Sequence, residues 1–90
     1  MKIYSVYDSK AEAFNEPFHA AKDGLAIRIF TDHVNKPESI WNKYPHDFTL
    51  FHVGEFDNEK GLLKPLDTPR NLGMAIEFTE MKQPQLKEVT

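Results

Sequence analysis

Apolar positions along the chain change period more than once, and each change marks an element. From Lys2 to Asp8 they alternate, with Ile3, Ser5 and Tyr7 on one side and Tyr4 and Val6 on the other. That alternation in β-branched and aromatic residues predicts a strand. From Asp23 to Lys36 the period is helical: Ala26, Ile29, Phe30, His33 and Val34 share a face at i, i+3, i+4, i+7 and i+8 spacing. Leu25 and Ile27 widen that stripe, while Lys22, Arg28, Asp32 and Lys36 fall on the polar side. Asp23 is placed as the N-cap, and Asn35-Lys36-Pro37 stops the helix. From Phe48 to Asp57 large residues stand on both sides: Phe48, Leu50 and Phe56 against Phe51 and Val53. A strand apolar on both faces predicts a central position with cover on both.

Between these segments the signals are shorter. Ala11 to Ala21 is interrupted by Pro17 and reads as a loop whose Phe14 and Phe18 pack back on the core. Pro37 opens a short helix that carries Ile40 and Trp41 and ends near Lys43. Asn58-Glu59-Lys60-Gly61 is a hairpin loop with Gly61 placed for a positive φ. Leu62 to Leu66 returns as a short or edge strand because of Pro65. Asp67 to Arg70 is a turn leading into one helical turn through Leu72, and Met74 to Phe78 reads as a last strand. The result is an α+β domain over residues 1–79: an antiparallel sheet of three or four strands with one main helix across a face. Residues 80–90 are polar, contain Pro84 and are expected to fray.

Composition narrows the function classes. Ninety residues make one small domain. A chain this short buries little surface, so self-association is expected, with a symmetric dimer as the default. The absence of cysteine excludes disulfides and thiolate metal sites and suits a reducing cytoplasm. No run approaches the roughly 18 apolar residues of a membrane span, and the N-terminus lacks the apolar core of a secretory signal. With 11 basic and 14 acidic residues the net charge is −3, so any contact with nucleic acid needs a local patch.

Candidate chemistry is sparse. The four histidines, His19, His33, His46 and His52, lack the spacing of a metal site. Ser5, Ser9 and Ser39 are outside any nucleophile-elbow context, and the four glycines make no phosphate cradle. Glu55 and Asp57, two apart on one face, have oxygens that suit a divalent cation, but acids at a hairpin are ordinarily solvated. No cofactor is implied, and the chain reads as a non-enzyme. The informative surface is Trp41-Asn42-Lys43-Tyr44-Pro45-His46, which interleaves rings for base stacking with cations for phosphate. Arg28 and Lys36 extend it, and Lys2 with Tyr4 makes a smaller pair of the same kind. Trp41 is equally suited to sealing the core.

Three stretches carry a resemblance. They are Ile3-Tyr4-Ser5-Val6-Tyr7-Asp8-Ser9-Lys10-Ala11-Glu12-Ala13 with Pro17-Phe18, then Ala26-Ile27-Arg28 through Asp32-His33-Val34-Asn35, then Phe48 to Asp57 followed by Leu72-Gly73. Together, over about residues 2 to 78, they resemble the small non-structural protein of gokushovirus-type microviruses, phages with single-stranded DNA genomes. The resemblance implies an accessory role in single-stranded DNA synthesis, or in the switch from replication to packaging, in the host bacterial cytoplasm. It implies single-stranded DNA, the phage replication initiator or a host replication protein as partner. The alternative is a protein-interaction module that docks through the Leu62–Leu66 edge or the Phe14/Phe18 loop, without touching nucleic acid. A scaffolding role ranks below both, since the chain reads as a compact sheet.

Overall fold

The computed structural model describes residues 1–80. In order the elements are β1 (Lys2–Asp8), β2 (Ala13–Phe14), β3 (Phe18–Ala20), α1 (Asp23–Val34), α2 (Ile40–Lys43), β4 (Phe48–Asp57), β5 (Leu62–Met74) and a 3-10 helix at Ala75–Phe78. The strands form one antiparallel sheet in the order β2-β1-β4-β5, with β3 also paired to β1. The α+β class holds, with one main helix on one face. The Ala11–Ala21 segment, expected as a loop, contributes β2 and β3, because the outer edge of β1 offers it a ladder. Its two phenylalanines part company: Phe18 stacks on Tyr4 at 5.7 Å, whereas Phe14 is 47% exposed. The polar tail, apart from Glu80, lies outside the described residues.

The core lies between α1 and one face of the sheet. Ala26, Phe30 and Val34 of α1 are fully buried against Tyr4, Val6, Phe48 and Leu50. Burying the Val, Leu and Phe side chains among these contributes about 1.5–3 kcal/mol each. Ile29 and Leu25 stay about 40% exposed, so the buried stripe is narrower than the spacing predicts. The short helix starts later than Pro37 would allow: Ser39 is its cap, accepting a hydrogen bond from the Trp41 amide. Trp41 lies half-buried across Phe30, His33 and Phe48.

A bulge in β4 overturns the expected facing of its last residues. Tyr4 registers with His52, but Ile3 registers with Gly54 and Lys2 with Glu55, so Val53 is an extra residue. Beyond it the alternation is inverted. Glu55 joins His52 on the helix side, and Phe56 joins Ile3 on the other. Among the described residues, the cover expected on both faces of β4 is therefore supplied on one. On the other face Tyr7, Phe14 and Phe51 touch ring to ring, at 4.9 and 5.7 Å, with Phe14 open to solvent.

β5 is longer than its prolines predict. Residues 66–69 swing out of the ladder, and pairing resumes at Arg70 with His52 and Asn71 with Phe51, because β4 still offers partners there. Gly73 sits at φ +136, and a methyl group there would meet the Phe78 ring at 2.8 Å. Ala75–Phe78, expected as a strand, has no ladder left and turns into a 3-10 helix. Its start is held by the Glu77 carboxylate on the Met74 amide and by the Ile76 amide on the Pro45 carbonyl. Asn35 then clamps the exit, donating to the Phe78 carbonyl and accepting from the Glu80 amide.

Candidate nucleic-acid interface

Two turns meet beside α2. In the β1–β2 turn, the Asp8 carboxylate accepts from the amides of Lys10 and Ala11, and Glu12 takes a left-handed φ of 58. In the α2–β4 turn, the Tyr44 carbonyl accepts from Asp47. The two are tied by the Ser9 amide donating to the Asp47 carbonyl at 2.9 Å. Between them is a hollow of about 400 Å³ lined by Asp8, Lys10, Ile40, Tyr44, Asp47 and Phe48. Tyr44 is 48% exposed and forms one wall, with the Lys43 ammonium 5.5 Å from its ring centre. An exposed ring, two flanking lysines and carboxylate acceptors match what an unpaired nucleotide needs: a stacking surface, a phosphate partner and acceptors for base amino groups.

The structure disperses part of the patch read from the sequence. Lys43, Tyr44 and His46 stay together and exposed. Trp41 has its ring against Phe30, His33 and Phe48, so it packs on the core. Arg28 is exposed and, two residues from both Ala26 and Phe30, stands on the opposite side of α1 from the buried stripe. Lys36 is exposed beyond the end of α1, and neither it nor Arg28 lines the hollow. Lys10 and Asp8 were missed, since their only signal was a turn pattern far upstream of Tyr44. The smaller Lys2/Tyr4 pair offers no stacking ring, because Tyr4 is fully buried.

A separate polar cluster forms at the start of α1. The N-cap there is Lys22, without a side-chain cap, and Asp23 is the first helical residue. Its carboxylate is spent elsewhere: Oδ1 accepts from the Tyr4 hydroxyl at 2.7 Å, and Oδ2 from Arg70 at 2.6 Å. Lys2 lies 3.5 Å from Oδ1. The bond from Arg70, then that from Tyr4, holds the Asp23 carboxyl down at about 2. Burial, then the hydrogen bond to Asp23, pushes the Tyr4 hydroxyl well above its ordinary range. His52 is 4% exposed, with Nε2 within 3.0 Å of the Gly54 carbonyl oxygen and 3.1 Å of Glu55 Oε2. Both of those are acceptors, so Nε2 carries the proton and Nδ1 accepts from Arg70 Nη2 at 3.1 Å. The cluster staples β1, α1, β4 and β5 together. It also accounts for Glu55, while Asp57 accepts from the Glu59 and Lys60 amides in the hairpin.

Comparison with known proteins follows from the same residues. The model of the family described as Phage ORF5 protein matches residues 1–78. The chain belongs to that family. A curated relative, Protein ORF5 of Chlamydia phage 1, is 38% identical over 71 residues, covering 74% of each chain. The Phage ORF5 assignment agrees with the resemblance to gokushovirus-type microviruses carried by the strand and helix motifs. No solved structure matches this Phage ORF5 chain. Among its described residues no helix is long and apolar enough to cross a membrane.

Proposed function

We propose that this Phage ORF5 family member acts at the single-stranded DNA stage of the phage cycle, in strand synthesis or the switch to packaging, by binding rather than catalysis. The reading rests on one observation: the exposed Tyr44 ring, which lines the hollow together with Lys10 and has Lys43 beside it. Because the chain is acidic overall, contact is local and involves two or three phosphates. Neutralising that number on a single strand gives a shallow salt slope, about −1.4 to −2 in log–log form.

The test is fluorescence anisotropy of labelled single-stranded and duplex oligonucleotides at low and near-physiological salt. Preference for single strands, a shallow slope, and loss of binding in Tyr44→Ala are expected. A Lys10→Ala, Lys43→Ala double variant should flatten the slope. Full affinity in the Tyr44→Ala protein would refute the site.

A second reading is supported by Leu62 and Leu63, which are 50% and 71% exposed on the edge strand β5. They suit docking onto a replication initiator or a host replication protein. A complex that survives nuclease treatment and is lost in Leu63→Glu would favour this reading.

A further inference from the structure

The sheet face opposite α1 is uncharged and mostly apolar, and no element among the described residues packs across it. We propose that a second copy of the chain covers it, in a two-fold dimer packed sheet against sheet. Three observations lead there.

The first is charge. Tyr7, Ser5 and Ile3 of β1 register with Thr49, Phe51 and Gly54 of β4 on this face, and none carries a charge. In a chain that is 28% Asp, Glu, Lys and Arg, such a face has no group for phosphate. It also has no charge to repel its own copy, as an isologous interface requires.

The second is shape. At one end the exposed Phe14 stands up as a ridge against Tyr7 and Phe51. At the other end is an apolar hollow of about 330 Å³ lined by Met1, Ile3, His19, Phe56 and Asn58. Ridge and hollow are both on the β1 side of the sheet, since β2 and β3 flank β1 at its two ends. A two-fold axis between the sheets and across the strands reverses strand direction while keeping that side. It therefore brings Phe14 of each copy over the hollow of the other, giving two identical insertions.

The third is area. Ten residues of β4 at about 3.3 Å each, by four strands at about 4.8 Å, give a face of at most roughly 600 Å² per copy and roughly 1,200 Å² for the pair. That reaches the threshold for a specific interface and predicts a reversible dimer.

Analytical ultracentrifugation of the full chain from low micromolar to millimolar concentration tests this. A monomer–dimer equilibrium is expected, and Phe51→Glu, which places a charge in the interface twice, should weaken it at least about 100-fold. Circular dichroism and thermal melting establish that the variant is folded. The second measurement does not depend on that variant. The chain has no cysteine, so Phe14→Cys and Asn58→Cys proteins, mixed and oxidised, should form mainly the mixed disulfide. A Lys36→Cys protein, altered on the helix side, should not cross-link with either. A wild type that stays monomeric throughout, a dimer indifferent to folded Phe51→Glu, or indiscriminate cross-linking would each overturn the proposal. So would a monomeric wild type whose oligonucleotide binding is lost in Phe51→Glu, which would assign the face to nucleic acid.

Discussion

Replacing Asp23 by Ala removes the acceptor on which side chains of two strands, β1 and β5, converge. The buried Tyr4 hydroxyl loses its partner, and a buried group left unsatisfied costs about 1–3 kcal/mol. Arg70 loses less, since half of its side chain is already in water. The acidity of Asp23 provides a second route to the magnitude. Its fall from 3.8 to about 2 corresponds to about 2 kcal/mol, reduced toward 1 because the carboxylate is 31% exposed. The two routes agree on about 1–2 kcal/mol, a fall in Tm of roughly 5–15 °C for a domain of this size.

The sign with pH is fixed by the direction of the shift. A carboxyl more acidic in the fold than in the unfolded chain stabilises fully above its unfolded value near 4, and that stability is lost as pH falls toward 2. Urea unfolding of wild type and Asp23→Ala should therefore show a gap that is constant from pH 5 to 7 and narrows as pH falls from about 4 toward 2, leaving the part due to the orphaned Tyr4 hydroxyl. Adding Tyr4→Phe to the Asp23→Ala protein should recover part of the loss, because the orphaned hydroxyl is gone. A gap that is unchanged at pH 2, or a double variant no better than the single, would refute the staple.

Gly73→Ala forces a side chain onto a φ of +136 and into the Phe78 ring, and should destabilise by at least about 2 kcal/mol in the same urea assay. An effect below about 0.5 kcal/mol would mean that the 3-10 helix yields freely. Trp41→Ala should cost about 2–4 kcal/mol, the lower part of the range for losing an aromatic ring, because Trp41 is half-buried. Trp41→Phe should fold and retain any single-strand affinity. Loss of that affinity in the folded Phe variant would show that the ring serves a ligand as well as the core.

Residues that act through local periodicity were legible in the chain. Ala26, Phe30 and Val34 declare their helix face by spacing, Tyr4 and Val6 declare theirs by alternation, and Gly61 declares its turn with φ +70. The family was legible too, because its motifs lie in those regular segments. The Ala75–Phe78 helix was not, because four apolar residues become strand or helix according to whether a ladder partner remains. The hollow at Tyr44 was half legible: the ring and Lys43 are neighbours in sequence, whereas Lys10 comes from another turn.

What the sequence determined by itself was therefore the repeating part of the structure: the antiparallel α+β plan, the main helix, the strands β1 and β4, and an acidic chain in which any anion site must be local. Tertiary structure alone decided the rest. The extra residue Val53 exists only relative to β1, yet it sends Glu55 to His52 and Phe56 to the open face. Asp23 and Arg70 are 47 residues apart, and β5 must bulge before it brings them together. Side-chain period is a property of a segment and is written in it. Register is a property of two segments, fixed only when the sheet closes, and in this chain register positions both the staple and the uncovered face.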